Sequence, residues 1–357
     1  MAITGQPFFS IGVPTYRRKD LLKQTLSSIL AQTFTDFEVI VGNDFVDDSL
    51  SLEMLGIDDP RVKIINHKRN MGELENMNYL LTRANGKYFT WQFDDDPCAP
   101  TFLNESCAAL TKFDFPISVF TSYFGIYGSH VHKFKRYNDG RAMLFSGRAF
   151  LRAYLSGGLK AMGCCGFYNT DYLRSIGGVQ RLSSGPTALY TEDLLLIKTG
   201  LLPEVVYIDA PLVSTRMHEK SWTCSSSDVA LFKEAGVNLI RESITVLSKD
   251  ALKVDFQKNL SSILKSVICA VVVRSIMHNK KLVMDDMLKY RLLVEKGFDF
   301  LRGSTLYDNA VSELNIAFNA MPLYIAKARL KMLVPLKYLK YAHIVTSTFS
   351  RYMNKAF

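Results

Sequence analysis

The stretch that decides the fold reads SIGVPTYRRKDLLKQTLSSILAQTFTDFEVIVGND over residues 10–44. An apolar, β-branched run predicts a strand over residues 8–13, and apolar residues at helical spacing predict an amphipathic helix over residues 21–32. A second apolar run predicts a strand over residues 37–41. Two strands joined by a helix form a βαβ unit with parallel strands. The stretch therefore predicts an α/β domain.

The same alternation continues for another fifty residues, with strands predicted over residues 62–66 and 88–93 and a helix over residues 74–84. Residues 104–190 give a mixed pattern with glycine-rich turns, and a short helix is expected over residues 192–199, capped by the side chain of Thr191.

After residue 225 the pattern changes to long helical segments, which are expected over residues 229–248, 252–277 and 284–296. We therefore expect an α/β domain over residues 1–224 and a helical region over residues 225–357. The longest clean apolar run, residues 267–273, is far shorter than the roughly 20 residues that span a bilayer. The sequence predicts no transmembrane helix, and residues 1–16 lack the pattern of a signal peptide.

Three consecutive aspartates, Asp94, Asp95 and Asp96, follow the strand predicted at residues 88–93. Ligands of parallel sheets gather at the carboxyl ends of strands, where these side chains would lie. Adjacent carboxylates repel one another unless solvent, hydrogen bonds or a divalent cation offsets the charge. Oxygen ligands suit Mg²⁺ or Mn²⁺. The alternative is a solvated turn before Pro97.

The formal net charge of +9 is concentrated at one end of the chain. Residues 314–357 contain seven lysines and arginines and no acidic residue, which leaves residues 1–313 at +2. Apolar and aromatic residues alternate with these lysines, as in helices that lie in a membrane interface. A helix packed on the domain or an oligomer contact is the alternative. Because the charge is terminal, nucleic-acid binding is not favoured.

The six cysteines show no metal or disulfide spacing and indicate a reducing, cytoplasmic location.

Taken in order, residues 10–44, NMGELENMN at 70–78, FDDDP at 93–97 and TED at 191–193 resemble the family 2 glycosyltransferases. These enzymes have the GT-A fold of the nucleotide-diphospho-sugar transferase superfamily, and the resemblance covers about residues 7–223. It implies a mixed, mostly parallel sheet flanked by helices, with a helical C-terminal extension. It also implies a nucleotide-binding half at about residues 1–103 and an acceptor half at about residues 104–224.

The resemblance implies a set of residues that bind the nucleotide sugar. Tyr16 would offer a face for base stacking, and Asp94 would contact the ribose. Asn43 stands where the family usually has an aspartate, so base recognition could differ from that of a plain uridine reader. The full donor set is Pro14, Thr15, Tyr16, Asn43, Asp44, Arg69, Asn70, Gly72, Asn78 and Asp94.

The resemblance places the metal at Asp95 and Asp96, with His218 as a further ligand and Mg²⁺ or Mn²⁺ as the ion. If the register slips by one residue, Asp94 and Asp96 form the Asp-x-Asp pair. Arg216 would neutralise the diphosphate. His218 could equally be an ordinary surface or packed histidine.

Asp193 matches the family's general base, and Glu192 stands beside it. An inverting transferase needs a carboxylate that takes the proton of the acceptor hydroxyl as it attacks. Two acidic residues at a helix N-terminus that only stabilise the helix are the alternative.

The resemblance implies an inverting, metal-dependent glycosyltransferase of bacterial surface-polysaccharide type. Its partners would be a nucleotide-diphosphate sugar, a saccharide or lipid-linked acceptor, and a membrane surface at the inner face of the cell membrane. A sugar nucleotidyltransferase and a non-catalytic membrane scaffold remain as alternatives. Against the first, residues 13–16 lack the glycine-rich phosphate loop that such enzymes carry.

Overall fold

The computed structural model describes residues 5–127, 142–217, 228–277 and 284–325. These residues form two compact units. The first unit contains residues 5–126, 142–216 and 245–255, and the second contains residues 228–244, 256–277 and 284–325. The domain boundary predicted near residue 225 lies outside the described residues. So do His218 and the basic tail from residue 326 onward.

One eight-stranded mixed sheet organises the first unit, in the order β3-β2-β1-β4-β7-β5-β8-β6. Strand β1 pairs in parallel with β2 and β4, and β2 pairs in parallel with β3. Strand β7 is antiparallel to β4 and β5, and β6 is antiparallel to β8. The strands are β1 (Phe9–Thr15), β2 (Phe37–Asn43), β3 (Val62–Asn66), β4 (Tyr88–Trp91), β5 (Ser118–Tyr127), β6 (Ala142–Phe145), β7 (Gly166–Asn169) and β8 (Val205–Met217).

Helices flank this sheet and also make up the second unit, which confirms the predicted fold class. In chain order they are α1 (Lys19–Leu30), α2 (Leu52–Leu55), α3 (Glu73–Arg83), α4 (Phe102–Lys112), α5 (Gly147–Leu155), α6 (Thr170–Ser175), α7 (Thr191–Thr199), α8 (Val229–Leu247), α9 (Asp250–Lys253), α10 (Phe256–Met277), α11 (Met284–Lys296) and α12 (Thr305–Asn319). Short 3₁₀ turns occupy Gly163–Cys165 and Asp299–Leu301.

The two faces of the sheet bury separate apolar clusters because side chains alternate along each strand. Phe9 and Val13 of β1 lie in one cluster with Leu22 and Leu26 of α1. Ile40 of β2 lies in the other cluster, which also contains apolar residues of α3 and β4. The central strands are buried on both sides, as parallel strands covered by helices must be.

The predicted elements before residue 100 all exist, with ends displaced by at most two residues.

The cap predicted for α7 is wrong. Thr191 is the first helical residue, and its hydroxyl donates to the carbonyl of Ala188 at 3.0 Å. Tyr190 holds the cap position with a left-handed φ of 56°, which turns the chain sharply before the helix and directs Thr191 back onto the preceding turn.

The single helix predicted over residues 252–277 is also wrong, because α9 ends at Lys253 and α10 begins at Phe256. Asp255 lies in the break and forms an ion pair with Arg148 of α5, with 2.6 Å between its Oδ2 and the arginine Nε. Both residues of this ion pair belong to the first unit, and the pair lies at the break between α9 and α10.

The second unit is helical, as predicted, and α10 is its most apolar element. Leu260, Leu264 and Ile268 are buried along this helix. Among the described residues, Phe256–Ile276 is long and apolar enough to cross a membrane, and half of its most apolar stretch is buried within the structure. The core helix of a soluble protein passes the same test of length and composition. The absence of a transmembrane helix therefore stays a prediction.

The contact between Gly86 and β1 allows a test of how closely the central strands are packed. A Cβ atom on Gly86 would lie 2.5 Å from the backbone nitrogen of Ser10 and 2.6 Å from the carbonyl carbon of Phe9. Gly86→Ala must push β1 away from the chain that enters β4, so we expect a loss of about 1–3 kcal/mol in the free energy of unfolding. Urea denaturation measures this loss. Gly5→Ala is the control, because no atom lies within 4 Å of the added carbon. Equal stability of the two variants would contradict the packing described.

Candidate active site

The candidate site lies at the edge of the sheet where β1, β2 and β4 end. Thr15 and Asn43 are paired in register at the last positions of β1 and β2. The Asp94–Asp96 segment follows the end of β4 by three residues. All three of its aspartates are at most 7% exposed, so the solvated turn is not what the chain forms.

Asp94 is held by β1 and α1. Its Oδ2 accepts a hydrogen bond from the hydroxyl of Thr15 at 2.7 Å, and its Oδ1 accepts one from Nη1 of Arg18 at 3.1 Å. The hydroxyl of Thr25 donates to the backbone carbonyl of Asp94 at 3.0 Å. Asp94, which belongs to the site in either alignment of the aspartate motif, is thus held by three hydrogen bonds.

Asp95 shares the same arginine nitrogen. Nη1 of Arg18 lies 2.9 Å from Oδ2 of Asp95, so one guanidinium bridges two adjacent carboxylates. Glu73, at the start of α3, interacts with both Arg18 and Asp95 through its charge. Its Oε2 accepts a hydrogen bond from the backbone N–H of Ala188 at 3.0 Å. Sequence reasoning missed Glu73.

Asp96 faces a different element. Its Oδ1 accepts a hydrogen bond from the backbone N–H of Arg216 in β8 at 2.7 Å. The side-chain amide of Gln92 donates to the backbone carbonyl of Asp96. The three aspartates therefore have unequal roles, because Asp94 and Asp95 share a cation and Asp96 joins the acidic segment to β8.

Burial and repulsion between neighbouring carboxylates raise the pKa values of Asp94 and Asp96. Burial and the charge of Asp95 raise the pKa of Asp94 to about 7, although Arg18 and Thr15 oppose the rise. Burial and the charge of Asp95 raise the pKa of Asp96 well above its ordinary value, and Glu192 adds to the effect. The segment carries more negative charge than its neighbours offset.

The oxygen atoms of the acidic segment fit a hard divalent cation, since they belong to carboxylates with an excess of negative charge. Asp95 and Asp96 would hold the ion. Within the described part of the chain, no three His, Cys, Asp or Glu side chains are grouped as a complete metal site. His218, the further ligand that the sequence predicts, lies outside those residues.

Arg216 lies beside this acidic segment, at the end of β8. Its side chain is 8% exposed, and its Nη1 donates to Oε1 of Gln24 at 2.9 Å. Its buried Nε has no hydrogen-bond partner among the described residues. A buried guanidinium with an unused donor suits an anionic ligand.

Helix α7 contains Glu192 and Asp193 near its N-terminus. The charge of Glu192 contributes to the raised pKa of Asp96, so these two carboxylates, 96 positions apart in sequence, lie within range of each other's charge. A Cβ on Gly163 would lie 2.9 Å from Cα of Glu192, so the 3₁₀ turn packs directly against the helix start.

Asp193 is partly buried next to Tyr154 of α5. The tyrosine hydroxyl donates to Oδ1 of Asp193 at 3.4 Å. Burial raises the pKa of Asp193 to about 6, and the hydrogen bond from Tyr154 opposes that rise. A carboxylate with a pKa near neutrality is suited to accept a proton. The sequence contains no signal for Tyr154.

Comparison with known proteins is consistent with this geometry. Residues 10–177 match the model of the family described as Glycosyl transferase family 2. These residues belong to that family. An uncharacterized glycosyltransferase of Haemophilus influenzae is 36% identical to the family 2 domain over 110 residues, which are 30% of this chain and 34% of that protein.

Two further likenesses describe the family 2 domain and its fold. The GalNAc(5)-diNAcBac-PP-undecaprenol beta-1,3-glucosyltransferase of Campylobacter jejuni is 39% identical over 93 residues, which are 25% of this chain and 30% of that protein. The chain thus spans about a third of the length of these curated relatives. The crystal structure of S. aureus TarS 1–349 in complex with UDP-GlcNAc superposes with a TM-score of 0.50 at 14% identity, covering 88% of this chain and 91% of that one. The predicted GT-A fold is confirmed.

Several residues predicted to bind the donor in the family 2 domain hold its loops together. Both carboxylate oxygens of Asp44 accept backbone N–H groups, from Met71 and Gly72, at 2.7 Å each. The amide of Asn43 donates to the carbonyl of Asp48 at 2.9 Å and to Oδ1 of Asn66 at 2.8 Å.

Asn78 and Asn70 also bond to backbone groups. The amide of Asn78 donates to the carbonyl of Val179 at 2.9 Å and accepts its N–H at 3.0 Å. Oδ1 of Asn70 accepts the N–H of Gly72 at 3.0 Å. Gly72 has a φ of 81° and packs against Pro186, where a Cβ would lie 2.9 Å from the carbonyl oxygen. A direct contact of these residues with a donor stays a prediction.

The remaining donor residues differ in exposure. Pro14 is buried within β1. Tyr16 is 42% exposed, and its ring meets that of Phe45 edge-on with 5.5 Å between centroids. The side chain of Arg69 is mostly exposed, and its Nη2 lies 3.6 Å from Oε2 of Glu75. The guanidinium carbon of Arg17 lies over the ring of Tyr16, 5.3 Å from its centroid.

The bonds of Asp44 generate a prediction about stability. Asp44→Ala leaves the N–H of Met71 without its acceptor and the N–H of Gly72 with Oδ1 of Asn70 in place of a carboxylate, so the free energy of unfolding should fall by about 1–3 kcal/mol. Chemical denaturation measures the change. Asp47→Ala removes the same charge from an exposed position of the same loop and should change stability little. A loss no larger than that of the control would show that these two bonds do not support the fold.

Proposed function

We propose that the chain is an inverting glycosyltransferase that moves a sugar from a nucleoside-diphosphate donor to a hydroxyl group of a saccharide or lipid-linked acceptor. Membership of family 2 supports the reaction class. The observation that carries the proposal is the approach of two acidic groups. Asp96, on the donor edge, and Glu192, beside the candidate base, are near enough for each charge to act on the other.

The donor would lie along the edge formed by β1 and β4. The partly exposed ring of Tyr16 would stack on the base, and the Thr15–Asp94 pair lies where a ribose hydroxyl would bind. The buried guanidinium of Arg216 has the charge that a diphosphate needs. Mg²⁺ or Mn²⁺ at Asp95 and Asp96, with His218, would supply further positive charge to the leaving diphosphate.

Asp193 is the general base in this proposal. The acceptor oxygen attacks the anomeric carbon as the bond from that carbon to the diphosphate oxygen breaks, and the hydroxyl proton passes to the carboxylate of Asp193. Attack from the face opposite the leaving group inverts the configuration at the anomeric carbon. Tyr154 orients the base through its hydrogen bond, and Glu192, the neighbour of the base, is within range of the charge of Asp96.

The acceptor and the location are inferred from relatives and from composition. One relative is named for an undecaprenol-linked acceptor, and a 32% identical Escherichia coli relative is named as a putative colanic acid biosynthesis glycosyl transferase. We therefore favour surface-polysaccharide synthesis at the inner face of the cell membrane. The basic residues of segment 326–357 would face anionic lipid.

The reaction is tested with a panel of nucleoside-diphosphate sugars and Mn²⁺ or Mg²⁺, with release of nucleoside diphosphate as the readout. We expect turnover of at least one donor. Asp193→Asn should lower kcat by about 10²–10⁴-fold, the usual contribution of a general base, while donor affinity changes little. Asp209→Asn, an exposed aspartate of β8, is the control. Nucleotide binding without turnover in the wild type would favour the scaffold alternative, and formation of a nucleotide sugar from a sugar phosphate would favour the nucleotidyltransferase.

The pH dependence gives a second test. Because Asp193 must be deprotonated to accept a proton and its pKa is raised to about 6, kcat/KM should fall as the pH drops below about 6. Tyr154→Phe removes a hydrogen bond that favours the charged carboxylate, so the fall should begin at a higher pH. Tyr79→Phe, which contacts His67 instead, should leave the profile unchanged. A profile that Tyr154→Phe does not move would contradict the contact between Tyr154 and the base.

A further inference from the structure

Arg18 occupies a position among carboxylates that come from three parts of the chain. Its Nη1 atom lies 3.1 Å from Oδ1 of Asp94 and 2.9 Å from Oδ2 of Asp95. The charge of Glu73 acts on the same guanidinium. Counting side-chain atoms alone, Arg18 is 26% exposed, whereas Asp94 and Asp95 are 5% and 10% exposed. The guanidinium therefore lies between solvent and the acidic pair.

The bridging contact with Nη1 uses one oxygen of each aspartate. A divalent cation held by Asp95 and Asp96 needs an oxygen of Asp95 at about 2.0–2.6 Å, a distance at which a guanidinium on the same carboxylate is strongly repelled. The two cations therefore compete for Asp95.

The backbone around Arg18 allows the side chain to move without breaking a strand. Arg18 follows β1 by three residues and holds the N-cap position of α1, with φ −128° and ψ 43°. Its guanidinium is joined to the backbone by a flexible stem, and Glu73 offers a third carboxylate near its present place. A change of side-chain rotamer would move the guanidinium away from the acidic pair.

We propose that Arg18 is a positioning residue that serves as the resident counter-ion of the acidic pair. In this role it holds Asp94 and Asp95 in place after β4 and lowers the affinity of Asp95 for a divalent cation, which binds only after the guanidinium withdraws. The role rests on the transferase proposal, because that proposal supplies the cation. The apparent affinity is reduced by the fraction of molecules in which Arg18 has withdrawn.

The test measures Mn²⁺ binding to the full chain without nucleotide, using the electron paramagnetic resonance signal of free Mn²⁺. Arg18→Gln should bind Mn²⁺ at least about fivefold more tightly than the wild type, the lower end of usual couplings between two ligands. Arg17→Gln is the matched control. It removes the same charge one position away, where the guanidinium lies 4.2 Å from the ring centroid of Phe45, and should leave the affinity nearly unchanged.

A second variant covers the case in which Arg18→Gln does not fold. Arg18→Lys keeps the charge as a compact, strongly hydrated ammonium that bridges two carboxylates less well, so its Mn²⁺ affinity should lie between those of the wild type and Arg18→Gln. A Mn²⁺ affinity of Arg18→Lys no higher than that of the wild type overturns the role of Arg18. So does a folded Arg18→Gln that binds no more tightly than Arg17→Gln.

Nucleotide binding separates this result from the transferase proposal. UDP and GDP affinities are measured by calorimetry for the wild type and the Arg18 variants. Nucleotide binding with no change in Mn²⁺ affinity across the series overturns the role of Arg18 and leaves the transferase proposal standing. A Mn²⁺ affinity that rises in Arg18→Gln, with no nucleotide binding or sugar-nucleotide turnover in the wild type, overturns the transferase proposal instead.

Discussion

Repulsion among three adjacent buried carboxylates is the constraint on which the site depends. Asp94, Asp95 and Asp96 cannot all be charged in a buried place unless each finds its own compensation. Thr15 and Arg18 act on the first two, and the backbone of β8 acts on the third. Because these partners come from β1, from the start of α1 and from β8, satisfying the charge also fixes the relative positions of the elements that form the site.

The polar residues around this segment divide into two groups. Asp44, Asn43 and Asn78 use their oxygens and amides on backbone groups of neighbouring loops, which stabilises those loops. Arg216 and Tyr16 differ, because Arg216 has a buried Nε with no hydrogen-bond partner among the described residues and the side chain of Tyr16 is partly exposed. Rigid loops with a few groups available to a ligand are a common basis for binding, since the entropy cost of ordering the loops arises in folding and not in binding.

The sequence predicted the parallel half of the sheet well, because strand and helix periods alternate clearly there and each helix must cover a strand pair. It also placed the acidic segment and Glu192–Asp193 correctly at the ends of their elements. It could not reveal Glu73 or Tyr154, since their importance comes from contacts with residues distant along the chain. The cap assigned to Thr191 was wrong because a left-handed Tyr190 redirects the hydroxyl, and no local pattern announces that conformation.

The bond between Asp96 and the backbone of Arg216 joins positions 120 residues apart. Contacts of such long range form after local ones, because closing a long loop costs chain entropy before the contact returns any stability. During synthesis, β1 to β4 leave the ribosome well before β8, so Asp96 has no β8 partner until the later strand arrives. The acidic segment is therefore completed late in folding, when β8 supplies the partner of Asp96.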